Sequence, residues 1–207
     1  MLNFFKKTNK DFFSQSGQDQ FAYDLSGENG FYLEIGAHHP IINSNSYNLE
    51  VNCNWKGVSI EYDVSYKKNW KECIERKNPV LWNNAFDLNY HEIKSEFSLP
   101  KRINYLSCDI EPPKNTYNIL TKIINEGLEF DFISYEHDKY NSGDKYEQLS
   151  ENFLLGQNYK IAIKDVYSRS KKYKIYETWF VNKDIDFENI SYDDWKKIRY
   201  KKNRFIR

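Results

Sequence analysis

The chain has 207 residues, enough for one domain that buries about 70% of the surface its unfolded form exposes. Thirty basic and thirty acidic side chains cancel, so charge gives no case for nucleic acid or an anionic membrane as the main partner. Three cysteines without a CxxC pair do not make a disulfide framework, which fits a reducing, cytoplasmic setting. No window approaches the roughly eighteen apolar residues of a membrane span, and the first residues lack the apolar stretch of a signal peptide.

Residues 1–29 read as an N-terminal helical cover. Apolar runs at residues 31–37 (FYLEIGA), 57–63 (GVSIEYD), 79–86 (PVLWNNAF), 103–111 (INYLSCDIE) and 130–138 (FDFISYEHD) predict buried strands. Helical segments fall between them at residues 65–77 and 115–126, the latter with Tyr117, Leu120, Ile123 and Ile124 at helical spacing. Residues 159–167 and 173–181 alternate polar and apolar, with only SRSKK between them. That leaves no room for a crossover helix and predicts an antiparallel hairpin. The basic tail, residues 196–207, reads as a solvated helix. The expectation is a single α/β domain over residues 1–207. Its core, residues 30–156, has five parallel β-α units, and the hairpin and tail close it over residues 157–207.

In an open α/β sheet, ligands sit beyond the carboxyl ends of the strands. Strand one ends in Glu34 and Gly36, where glycine permits a tight turn and close approach to a ligand. Gly36 has no GxGxxG companions, which favours a ligand without a pyrophosphate over a dinucleotide. Strand two ends in Glu61, placed either to accept from both hydroxyls of a ribose or to cap a helix beginning near Asp63. Asp87, near the end of strand three, is placed either to meet an adenine amino group or to serve in a turn. Asp109 and Glu111 end strand four, and Glu136 and Asp138 end strand five; these converging carboxylates call for a cation between them. His38, His39 and His137 lie at strand ends as candidate ligands or proton acceptors, while His91 falls at a helix start with no expected role.

SQSGQD (residues 14–19), GFYLEIGAHHP (30–40), NSNSYNLE (43–50), NWKGVSIE (54–61), INYLSCDIEP (103–112) and DFISYEHD (131–138) together resemble, in order, the FkbM-type methyltransferases. The resemblance spans residues 14–156. It implies a Rossmann-like class I methyltransferase sheet, S-adenosylmethionine as cofactor, and acceptors that are often sugar or polyketide hydroxyls. Carried over by position, Glu34 and Gly36 fall on the amino-acid side of the cofactor, Glu61 at the ribose, and Asp109 beside the methionine moiety. Gln15, Gln18 and Asn45 cover the same ligand. Where many relatives have a second glycine, this chain has His38, His39 and Pro40, and Pro112 follows Glu111.

These readings predict an S-adenosylmethionine-dependent O-methyltransferase for a sugar or glycan hydroxyl, with no nucleic-acid partner. Two mechanisms compete. In one, Mg²⁺ or Mn²⁺ is held by Asp109, Glu136 and His137; in the other no metal is used, and His38, His39 or His137 is the base. The alternative function is a non-catalytic cofactor-binding module of a larger glycan-assembly enzyme.

Overall fold

The computed structural model describes residues 11–168 and 174–203. The first ten residues, residues 169–173 (most of SRSKK and the first residue of the expected strand 173–181) and the last four residues of the basic tail lie outside the described residues.

Among the described residues eight strands form one sheet: β1 (Phe31–Ile35), β2 (Lys56–Glu61), β3 (Val80–Trp82), β4 (Arg102–Cys108), β5 (Glu129–Glu136), β6 (Tyr159–Tyr167), β7 (Ile175–Asn182) and β8 (Ile190–Ser191). Their order is β3-β2-β1-β4-β5-β7-β6-β8. The first five are parallel, β7 runs antiparallel between β5 and β6, and β8 adds a short parallel edge. Each predicted strand is present, and the expected hairpin is β6–β7.

Among the described residues eight α-helices accompany the sheet: α1 (Gln18–Ser26), α2 (Tyr47–Cys53), α3 (Lys67–Glu72), α4 (Tyr90–Glu96), α5 (Pro113–Asn125), α6 (Lys139–Ser142), α7 (Lys145–Gly156) and α8 (Tyr192–Asn203). Pro113 opens α5, where its missing N–H costs no helix bond, and Thr116, Ile119, Leu120 and Ile123 turn one face inward. At α4 the Asn89 side chain accepts from the N–H groups of His91 and Glu92, which accounts for His91 as a helix-start residue. Among the described residues no helix is long and apolar enough to cross a membrane.

Alternation along each strand separates two cores. Leu33, Ile35, Leu106, Cys108, Ile133 and Tyr135 pack with α4, α5 and α7. Tyr32, Tyr105, Phe132 and Trp179 face Phe21 of α1 and Trp195 of α8. The contact between α1 and α8 is close: a Cβ on Gly17 would lie 2.5 Å from the Trp195 ring. On this second face the strand ends become polar with Glu34, Ser59, Ser107 and Ser134, and there the packing gives way to a cavity.

Candidate active site

The order change between β1 and β4 places a cavity of about 530 Å³ beyond the strand ends. Gly36 forms its floor at φ 82°, and a Cβ there would sit 1.7 Å from the Asp109 carbonyl oxygen, so no other residue fits. Beside it, Glu61 accepts from the backbone N–H groups of His38 and Asp63, each at 2.6 Å. These bonds fix the carboxylate at the end of β2. Capping of the next helical turn falls instead to Asp63, whose Oδ1 accepts from Ser65 N.

Glu34 is 2% exposed, and its Oε2 accepts from Ser46 Oγ at 2.7 Å and Ser59 Oγ at 2.6 Å. Burial pushes its carboxyl up, opposed by Arg76 and the two hydroxyls. The buried Arg76 guanidinium lies 3.8 Å from Glu34, donates to Glu50 at 2.8 Å and to the Tyr32 hydroxyl at 3.0 Å, and stacks on Trp70. Neither Arg76 nor Glu50 was expected from the sequence.

Asp109 and Glu136 meet in the cavity and share a side-chain hydrogen bond. Lost hydration pushes both carboxyls up, and Asp109 raises Glu136 further. Next to them lies Glu177 of β7, another residue not foreseen. It is 2% exposed, and its Oε2 accepts from Gln18 Nε2 at 2.9 Å and Trp179 Nε1 at 2.7 Å. Burial lifts it to about 7, against those two bonds. Gln15 and Asn45 also line the cavity; Asn45 donates to Ser107 Oγ, and its own Oδ1 has no partner among the described residues.

The histidines separate. His38 lines the mouth, exposed, at φ 49°, with its Nε2 against the Tyr66 hydroxyl. His39 turns away, its Nδ1 accepting from Ile41 N and Ile42 N. His137 is fully buried and does not line the cavity: Nδ1 accepts from Lys139 N at 3.2 Å, and Nε2 meets Thr178 Oγ1 at 3.2 Å. Burial lowers its pKa to about 4. Asp109, Glu136 and His137 therefore do not come together. Among the described residues no group of three or more His, Cys, Asp or Glu could hold a metal ion. The donor set does not fit the expected Mg²⁺ or Mn²⁺.

A second cavity of about 350 Å³ adjoins the first across Gly36, Glu61 and Ile110, and is lined by Asn84, Ala85 and Phe86. Asp87 is not part of it. It is exposed at the end of the 3₁₀ turn Ala85–Asp87, so the strand-three end offers Asn84 and Phe86 instead. A separate hollow of about 470 Å³ beside Tyr167 and Tyr192 has neither a glycine floor nor the strand-end carboxylates.

The fold is the α/β Rossmann-like methyltransferase fold, as expected from the strand pattern. The chain is similar to the Methanococcus jannaschii fibrillarin pre-rRNA processing protein (14% identity, TM-score 0.53, 86% of this chain and 84% of that one). It is also similar to a Streptococcus agalactiae protein of the NADB-Rossmann superfamily (14% identity, TM-score 0.52, 93% and 76%). A third similar structure is Aeropyrum pernix fibrillarin with natively bound S-adenosylmethionine (12% identity, TM-score 0.50, 85% and 84%). No protein-family model matches the chain, and no curated protein matches it.

Proposed function

We propose that this chain is an S-adenosylmethionine-dependent O-methyltransferase acting on a sugar or glycan hydroxyl. The observation that carries this reading is the pair of joined cavities divided by Gly36 and Glu61, one lined by carboxylates and the other by Asn84 and Phe86. Their linings match the two ends of S-adenosylmethionine. Asn84 and Phe86 take the adenine, and Glu61 accepts from the ribose hydroxyls. Glu34, Gln15, Gln18 and Asn45 surround the methionine moiety, and Asp109 lies beside it. A dinucleotide is disfavoured by the carboxylates where a pyrophosphate would lie.

Methyl transfer to oxygen asks the protein to align the hydroxyl with the methyl and to take up its proton. His39 and His137 are committed to the turns that hold them, which leaves His38 at the mouth and the cavity carboxylates. No step runs through a metal. The sugar acceptor is supported by the ordered motifs that resemble FkbM-type enzymes and by the charge of the mouth. Asp63 is exposed there and would repel an RNA backbone.

Methyl-labelled S-adenosylmethionine incubated with nucleoside-diphosphate sugars, glycosides, oligosaccharides and RNA tests this reading. Label should pass to a saccharide hydroxyl. Transfer to RNA alone would contradict the sugar reading, and binding without transfer would favour the non-catalytic module.

A further inference from the structure

Four buried carboxylates elsewhere in the molecule have cations: Glu34 and Glu50 share Arg76, Asp24 has Arg199, and Glu147 has Lys139. Glu61 is held instead by the backbone N–H groups of His38 and Asp63, and Asp138 lies beside Glu177 without a salt bridge among the described residues. Asp19 has no cation among the described residues but takes the backbone N–H groups of Phe13 and Gln20 together with the Ser14 hydroxyl. Glu177 has neither. Among the described residues no salt bridge reaches it, and its carboxylate is held only by the Gln18 amide and the Trp179 indole. Gln18 is itself fixed, its Oε1 accepting from Ser16 N and its Nε2 also donating to the Tyr176 hydroxyl. Both donors act on Oε2, so Oε1 remains for a ligand in the cavity that Glu177 lines.

A carboxylate that only satisfied the Trp179 N–H would be replaceable by a neutral amide, without the cost of burying charge. The arrangement suits a cationic ligand. Resting on the S-adenosylmethionine reading above, we propose that Glu177 is both the counter-ion of the sulfonium and the base that receives the acceptor proton. The acceptor O–H gives its proton to Glu177 Oε1 while an oxygen lone pair forms the new C–O bond to the methyl. The S–CH₃ bonding pair stays on sulfur, leaving a neutral thioether. One cation and one carboxylate become two neutral groups, so the desolvated cavity holds the same net charge before and after transfer.

The titratable groups that bear on Glu177 are Tyr105 of β4, Asp109 just after it, Glu136 of β5, Asp138 from the segment after β5, and Tyr176 from its own strand. With these neighbours and its burial, Glu177 titrates near neutrality in the free protein. The sulfonium lowers it, whereas uncharged thioether does not. Binding of S-adenosylmethionine therefore releases a proton, and binding of S-adenosylhomocysteine does not.

Calorimetric titration of both ligands, in buffers of different ionisation heat and across neutral pH, tests this without an acceptor. The wild-type protein should release on the order of one proton with S-adenosylmethionine and close to none with S-adenosylhomocysteine. Glu177→Gln keeps the bonds from Gln18 and Trp179 and should abolish most of that release, weakening S-adenosylmethionine at least ~10-fold more than the homocysteine product. Gln18→Leu removes one donor to the carboxylate, so its release profile should move to higher pH; this variant decides the matter if Glu177→Gln does not fold. Both ligands binding without differential proton release, or an unchanged profile in the variants, would overturn the role of Glu177 alone. Binding of neither ligand would overturn the cofactor reading and this assignment with it.

Discussion

At Gly36 the backbone has no alternative conformation. A Cβ would overlap the Asp109 carbonyl, and the residue sits in the left-handed region, so Gly36→Ala forces β1 and β4 apart at the cavity floor. The variant should lose measurable S-adenosylhomocysteine binding in calorimetry while retaining its circular dichroism; undiminished affinity would contradict the placement of the cofactor. Gly36 and Glu61 were legible because strand ends are short apolar runs closed by one distinctive residue. His137 was misplaced because successive side chains at a strand end point to opposite sides. The alternation that parts Cys108 from Asp109 also parts His137 from Glu136, turning the imidazole toward Thr178. Glu177 was hidden for a different reason. Its importance comes from Gln18, 159 positions away, and spacing along the chain carries no sign of that contact.

Between elements, Arg76 is the long-range tie that fixes the cavity floor. It follows α3, yet it joins β1, α2 and the Tyr32 hydroxyl through Glu34, Glu50 and Ser46. Arg76→Met would leave two buried carboxylates without their cation, a loss of about 3–5 kcal/mol. Urea denaturation measures it, and a change under about 1 kcal/mol would mean that the two carboxyls are already neutral in the native state. The strand succession and α5 were readable from apolar runs and helical spacing. The insertion of β7 between β5 and β6 was not, because a hairpin pattern leaves open which of its strands joins the sheet. Nor was β8, whose two residues are too few to show a period.

Over the whole molecule, buried ionisable groups set how stability responds to pH. Glu177 rises from 4.5 to about 7 and Asp19 from 3.8 to about 6, each chiefly through burial. Their contribution is fully present below the unfolded values and is lost as pH rises through the folded ones. His137 has the opposite sense: lowered from 6.5 to about 4, it weakens the fold as pH falls across that window. Glu34, Asp109 and Glu136 are raised in the same sense, so the raised carboxyls outweigh His137 and make the ligand-free protein melt at a higher temperature near pH 5 than near pH 7.5. Thermal melts at the two values check this, and a higher midpoint at the upper pH would contradict the assigned burial of Glu177 and Asp19.

The joined cavities stand or fall as a cofactor site on the direct titration of the wild-type protein with S-adenosylhomocysteine, with NAD as the comparison ligand. Saturable binding of S-adenosylhomocysteine and no heat from NAD are expected. Saturable binding of NAD with none of S-adenosylhomocysteine would contradict the assignment.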